Sequence, residues 1–198
     1  MIVIGLTGGT GAGKTTALTV LKEYGAYIID CDAVYHELLA NDKAMQQEIC
    51  ERFGMDFEAG FDRKALGRVV FGDEKALADL STMTHRYVNR EVARLLKEAE
   101  NEGRKCAAVD AIMLIESGGK SYCDTTVAVL APAEIRTERI MAREGISREY
   151  AQMRINSQKN DDFFKENCDR ILTNDCKDVS EFENRCRLLF ERILGGEK

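Results

Sequence analysis

The chain has 198 residues, 44% of them hydrophobic, enough to close one full apolar core with room for insertions. Its net charge of −6 speaks against a general nucleic-acid binder, which needs a basic face, and no basic start with an apolar signal core or bilayer-length apolar run is visible. Seven scattered cysteines without a Cys-x-x-Cys pair argue against a disulfide framework and a zinc site, and read as reduced structural thiols of a cytoplasmic chain with no nucleic-acid or membrane partner.

The first apolar run, Ile2–Leu6, reads as a strand and leads into Gly8-Gly9-Thr10-Gly11-Ala12-Gly13-Lys14-Thr15. This is a complete phosphate-binding loop in its proper context of strand, glycine-rich turn and helix. Glycines let successive backbone N–H groups face one concavity beside the positive end of a helix dipole, where phosphate oxygens fit. The pattern predicts nucleoside triphosphate binding by Gly11, Ala12, Gly13, Lys14, Thr15 and Thr16. Lys14 reaches the β/γ-phosphates, and the Thr15 hydroxyl is a candidate Mg²⁺ ligand. The following helix is expected from about Lys14 to Tyr24, stopped by Gly25, with Ala17, Leu18, Leu21 and Tyr24 facing the sheet.

A second strand, Tyr27–Asp30, brings two carboxylates to the strand end, Asp30 and Asp32. Asp30 reads as structural. Asp32 has two readings: a helix cap, or a general base (or Mg²⁺-orienting carboxylate) serving an acceptor hydroxyl. From there to Cys106 the pattern holds about three helical stretches, no convincing strand, and a loop over Gly54–Asp62. That length marks a helical insertion.

Cys106–Asp110 is a third strand ending in a carboxylate, so Asp110 is a further candidate for Mg²⁺, directly or through water. Thr126–Leu130 is the fourth. The segment between Ala131 and Cys168 is arginine-rich, and Gly145 breaks it into two helical stretches, as in a mobile hairpin. Arg136, Arg139 and Arg143 fall on one helical face; Arg154 and Gln158 form another i, i+4 pair. A solvated face serves equally well for Arg136 and Arg148, whereas Arg139 and Arg143 are assigned to transition-state charge on a lid. Arg170–Leu172 closes the strand set. The last helix, about Val179 to Leu194, carries a core stripe of Phe182, Cys186, Leu189 and Ile193.

Together these elements predict an α/β fold: a phosphate-loop NTPase core with a five-stranded parallel sheet flanked by helices, a helical substrate-binding insertion and an arginine-rich lid. The expected borders are 1–32 and 104–198 for the core, about 134–165 for the lid within it, and 33–103 for the insertion.

Gly5 through Thr15 with Ile29-Asp30-Cys31-Asp32 resembles the opening of the dephospho-coenzyme A kinases. The similarity continues through Arg63-Lys64-Ala65-Leu66-Gly67 with Val70-Phe71, then His85, then Asp110 to Glu116. Arg139, Arg143, Arg154, Gln158, Asp169 and Asn174 extend it over nearly the whole chain. The resemblance implies transfer of the ATP γ-phosphoryl to the ribose 3′-hydroxyl of dephospho-coenzyme A, the last step of coenzyme A synthesis, with ATP and Mg²⁺ required. It also implies Asp32 as base, Lys14 and Arg139 at the migrating group, Thr15 and Asp110 at Mg²⁺, Arg143 at the nucleotide, and His85 with Asp32 and Asp110 on the acceptor side.

The chain departs from the family at Met83-Thr84-His85-Arg86, where Leu-Leu-His-Pro is usual, and at Ile112-Met113-Leu114-Ile115-Glu116, where Pro-Leu-Leu-Phe-Glu is usual. Cys31 stands for the usual Ala. Two fixed turns are thereby lost, and Arg86 is expected to meet a substrate phosphate instead. The rival readings are another small-molecule or nucleotide kinase, a nucleotide-dependent switch protein, and a silent member that only binds nucleotide. The missing Asn-Lys-x-Asp and Asp-x-x-Gly motifs speak against the switch. A monomer or weak homo-oligomer is expected.

Overall fold

The computed structural model describes residues 1–70 and 72–196; Phe71, part of the resemblance, lies outside them. Strand β1 (Ile2–Thr7) is buried from Val3 onward, as a near-continuous apolar run should be in the middle of a parallel sheet. The sheet order is β2-β3-β1-β4-β5, with β2 at Tyr27–Asp30, β3 at Cys106–Asp110, β4 at Thr125–Leu130 and β5 at Arg170–Thr173. The pairs β1–β3, β1–β4 and β4–β5 are parallel, with Leu6 opposite Asp110 and Thr7 opposite Ala128. Two predicted strands match to the residue. The other three each gain a threonine: Thr7, Thr125 and Thr173. An apolar pattern undervalues threonine, although its branched Cβ suits a strand.

Helices α1 (Lys14–Glu23) and α9 (Val179–Leu194) cover one side of this sheet. Ala17 and Leu21 are fully buried while Leu18 and Tyr24 sit at the margin, and Val20 joins the deep set. On α9 the deepest line is Phe182, Cys186 and Phe190, at strict i, i+4, i+8 spacing; Leu189 and Ile193 flank it. Phe190 was absent from the expected stripe. Burial raises the Cys186 thiol to about 12, and Cys123 also to about 12, so both stay neutral and unreactive. All seven cysteines are free thiols.

After β4 come α6 (Ala133–Glu144), α7 (Arg148–Asn156) and α8 (Asp161–Asn167). Gly145 ends α6 in the left-handed region at φ 66°, and the Ser147 hydroxyl accepts from Tyr150 N–H to start α7. Ile140, Ala151 and Ile155 seal the α6–α7 hairpin with their own small core. Helix α8 is additional to the two expected helical stretches.

The chain divides into two compact units, Met1–Ile29 with Leu96 onward, and Asp30–Leu95. The second is all helical: α2 (Cys31–Asn41), α3 (Lys43–Phe53), α4 (Arg63–Val70) and most of α5 (Glu74–Asn101). Four helices replace the expected three or so, because Asp42 alone separates α2 from α3 and its carboxylate caps α3 through Met45 N–H at 2.9 Å. The irregular stretch over residues 54–62 is as expected. Met45 and Ile49 form the centre of this unit with Leu66 and Val70.

At the sheet's far edge Asp169 ties β5 to β4. Its carboxylate accepts from Thr126 N–H at 2.8 Å, Thr126 Oγ1 at 2.6 Å and Lys120 Nζ at 3.0 Å. Burial pulls its pKa upward, but the Thr126 and Lys120 bonds outweigh it, and the net shift is downward. A depressed carboxylate stabilises the fold above its unfolded pKa of about 3.9 and loses that contribution as pH falls through the folded value. Asp169→Asn is therefore expected to be less stable than wild type at pH 7 and to converge with it below about pH 4 in urea titrations. Phe190→Ala, which empties a fully buried site, is expected to lower unfolding free energy by about 3–5 kcal/mol in the same assay.

Candidate phosphate-binding site

The loop between β1 and α1 holds its shape through its carbonyls. Gly8 O accepts from Lys14 Nζ at 3.1 Å, and Gly9 O accepts from Ala12 N–H at 3.1 Å. Thr10 O accepts from Arg136 Nε at 2.9 Å, while Gly11 O and Ala12 O both accept from Arg139 Nη1 at 3.4 Å. Ala12 O accepts again from Asn174 Nδ2 at 2.8 Å, and Gly13 O takes the helical bonds from Thr16 and Ala17. Within a trans peptide the C=O and N–H point opposite ways. Carbonyls of Thr10 and Ala12 drawn toward arginine and asparagine therefore turn the N–H groups of Gly11 and Gly13 the other way. That is the arrangement an anion needs.

The glycines have different reasons. Gly11 (φ 79°) and Gly13 (φ 111°) adopt backbone that only glycine enters without strain, and a Cβ on Gly13 would lie 2.3 Å from Asn174 Nδ2. Gly13 is also the N-cap of α1 and brings no capping side chain to the first turn, the place where helix amides meet an anion. Thr15 is exposed and Thr16 half-buried in that first turn.

Arg139, predicted for the site, is at the loop, bonded also to Asn174 Oδ1 at 3.1 Å. Arg136 corrects the solvated reading: it is 6% exposed and holds Thr10 O and Gln158 Oε1. Burial lowers its pKa, partly opposed by Asp161, without threatening its charge at neutral pH. Arg143 stands elsewhere. It is exposed and pairs with Glu144 at 2.6 Å, and Glu144 also takes Arg154. The hydrogen bond from Arg143, then that from Arg154, lowers the Glu144 carboxyl against its desolvation. Arg148 pairs with Glu134 on the surface.

Gln158 lies just past the end of α7, so it is not the helical partner of Arg154; it bonds Thr10 N–H at 3.0 Å and Thr10 Oγ1 at 2.8 Å. Sequence reasoning gave Asn174 no role. The available signal was its position after β5, at the carboxyl end of a parallel strand, where ligands gather in such sheets. Asp110 ends β3, half-buried. Its carboxylate and the Thr15 hydroxyl are hard oxygen donors of the kind Mg²⁺ accepts alongside phosphate oxygens and water. Among the described residues no group of three or more His, Cys, Asp or Glu could hold a metal ion.

In the helical unit, Asp32 sits exposed in the first turn of α2 and is not its cap. Asp30 fills that role, accepting from Asp32 N–H at 2.9 Å and Ala33 N–H at 3.1 Å. The side chain of Asp32 is thus released from capping. His85 is half-buried on α5. Arg86 pairs with Glu48, whose other oxygen accepts from Tyr87 Oη at 2.7 Å, so a phosphate would have to compete with that carboxylate.

The sequence profile of the dephospho-CoA kinases (CoaE) matches residues 2–179. This chain belongs to the dephospho-CoA kinase family. It is 36% identical over 180 residues to the dephospho-CoA kinase of Dehalococcoides mccartyi, covering 89% of this chain and 90% of that one. It is 33% identical over 197 residues, 98% of each chain, to the dephospho-CoA kinase of Corynebacterium diphtheriae. Among solved structures, TT1252 from Thermus thermophilus superposes with a TM-score of 0.78 at 27% identity, over 100% of this chain and 98% of that one. The dephospho-CoA kinase from Campylobacter jejuni shares the fold at TM-score 0.71 and 24% identity, over 99% and 98%. This dephospho-CoA kinase family member has a phosphate loop and a five-stranded sheet, within a fold that both structures match over nearly their whole length.

Gly13→Ala tests the loop directly. A methyl there meets Asn174 and cannot hold φ 111° cheaply. ADP affinity by equilibrium dialysis is expected to fall about 5- to 150-fold, the equivalent of the roughly 1–3 kcal/mol such backbone strain costs.

Proposed function

We propose that this chain is a dephospho-coenzyme A kinase that transfers the ATP γ-phosphoryl to the ribose 3′-hydroxyl of dephospho-coenzyme A, giving coenzyme A and ADP. The observation that carries the reading is the phosphate loop whose outward carbonyls are held by Arg136, Arg139 and Asn174 in a chain matched by that family's profile over residues 2–179. Fold-level likeness to shikimate kinase and gluconokinase structures adds the architecture alone.

Phosphoryl transfer asks little covalent chemistry of a protein; it asks for positioning and for positive charge around the moving group. The amides of Gly11, Gly13, Lys14 and Thr15, with Ala12 and Thr16 completing the turn, grip the phosphates, and the Lys14 ammonium lies over the loop. Arg139, half-buried beside Gly11 and Ala12, adds fixed charge in a region of reduced dielectric. Thr15 and Asp110 would hold Mg²⁺, which when bound neutralises charge building on the phosphate oxygens. Asp32 draws the proton from the acceptor hydroxyl as the in-line transfer proceeds, and no phosphoenzyme forms. His85 and Asp110 orient the acceptor, Arg143 turns to the nucleotide when the hairpin closes over it, and closure excludes water.

The helical segment 33–103 is the acceptor-binding insertion and about 134–165 the lid, in a cytoplasmic monomer or weak homo-oligomer that takes no nucleic acid. No described helix is long and apolar enough to cross a membrane.

A coupled ADP-release assay decides the acceptor. Turnover is expected with dephospho-coenzyme A, not with nucleoside monophosphates, and is expected to vanish without Mg²⁺. Phosphorylation of monophosphates alone would replace this reading with that of a nucleotide kinase. Lys14→Ala is expected to cut turnover severely. Asp32→Asn is expected to lower kcat by about 100- to 10,000-fold with ADP affinity intact; wild-type turnover in that variant would remove Asp32 from the base role.

A further inference from the structure

Thr10, at the tip of the phosphate loop, is held at every polar atom by the hairpin. Its N–H goes to Gln158 Oε1 at 3.0 Å, its hydroxyl receives Gln158 Nε2 at 2.8 Å, and its carbonyl receives Arg136 Nε at 2.9 Å. Arg136 Nη2 closes the ring by donating to Gln158 Oε1 at 2.8 Å. Arg136 lies near the start of α6 and Gln158 just past the end of α7, so both roots of the hairpin meet on one residue of the loop. At 6% exposure, Arg136 has given up most of its hydration for these bonds. Their acceptors, Thr10 O and Gln158 Oε1, are neutral oxygens. A buried guanidinium of that kind is costly unless it is fully hydrogen-bonded or a counter-charge comes near. The Asp161 carboxylate supplies part of that charge, and a polyphosphate in the adjoining loop adds to it.

Gly9 records the same arrangement from the other side. Unlike Gly11 and Gly13 it does not adopt positive φ, so its conformation does not call for glycine. Space does. A Cβ on Gly9 would lie 2.1 Å from Arg136 Nη2, 2.6 Å from Cζ and 2.9 Å from Gln158 Oε1. The guanidinium occupies the place of a side chain, and moving it would break its bonds to Thr10 and Gln158.

We infer that Arg136, acting with Gln158 through Thr10, is a positioning residue for the nucleotide: it sets the phosphate loop in its anion-binding shape and locks that loop to the roots of the α6–α7 hairpin. Arg136 does this without touching the reacting atoms, and Gly9 is glycine to admit it. The inference rests on the phosphate-site reading above and not on the identity of the acceptor.

The test is a size-compensation cycle read by calorimetric ADP titration in the presence of Mg²⁺, with KM measured for ATP and dephospho-coenzyme A. Arg136→Ala is expected to raise the ADP Kd about 10- to 100-fold, the loss of charge-assisted bonds, and to raise the ATP KM. The acceptor KM stays within about 2-fold, a split that general loosening of the fold would not produce. Gly9→Ala alone weakens ADP comparably. In Gly9→Ala/Arg136→Ala the methyl enters vacated space, so the double variant binds ADP no worse than Arg136→Ala. Unchanged ADP affinity in folded Arg136→Ala, or losses that multiply in the double variant, would overturn the inference. Should Arg136→Ala fail to fold, Gln158→Ala decides: a raised ADP Kd supports the clamp and an unchanged one overturns it. Failure of wild type to phosphorylate dephospho-coenzyme A would defeat the acceptor reading and leave these ADP affinities to stand or fall by themselves.

Discussion

A polyphosphate carries its charge on oxygens that repel carbonyl oxygens, so a loop that binds it must first dispose of its own. Here the carbonyls of Thr10, Gly11 and Ala12 go to two arginines and an asparagine, and those of Thr10 and Ala12 turn the N–H groups of Gly11 and Gly13 toward the ligand, while Ala12 N–H closes the turn on Gly9 O. Much else in the core follows from that requirement. Helix α6 has to run close enough for Arg136 and Arg139 to reach the loop, and β5 has to end where Asn174 meets Ala12. The α1 helix has to begin on a glycine, which sets no capping side chain over the first turn.

Such a loop also needs rigid walls. Central β1, buried on both faces, anchors one end, and α1 is pressed onto the sheet by Ala17, Val20 and Leu21 beside the α9 line of Phe182, Cys186 and Phe190. Phe182 belongs to both systems, since its ring lies within 3.2 Å of where a Gly13 side chain would project. Packing energy from the core is in this way coupled to the geometry of the loop. The helical unit follows a different rule: short helices start on aspartates, with Asp30 capping α2 and Asp42 capping α3. A cap at Asp30 places the next carboxylate, Asp32, on an exposed first turn where capping is already supplied.

The family departures read differently once side chains are seen. Arg86, standing where proline is usual, is paired with Glu48 beside Tyr87, so its charge is spent within the helical unit. Ile112 still supplies a carbonyl that accepts from the buried Thr7 hydroxyl at 3.0 Å, and Leu114 is fully buried against Gly5 of β1. The turn after β3 is therefore held by packing and by a hydrogen bond where a proline ring would have held it.

Strand positions, the phosphate loop, the first helix and the limits of the last were legible in the chain alone, because each depends on local chemistry: apolar runs, glycine spacing, a stop at Gly25. Other features required distant parts of the chain to meet. Arg136 and Arg143 look alike in sequence, seven residues apart on one face, yet one is buried against Thr10 and the other lies in solvent with Glu144. Gln158 and Asn174 reach the loop from 148 and 162 residues away. Which glycines serve φ and which serve space was equally invisible, since a run of glycines spells both the same way. Local periodicity and motif spacing determined the fold class and the kind of ligand. Tertiary packing alone decided which charges face that ligand, because burial and hydrogen-bond partners are properties of neighbours in space.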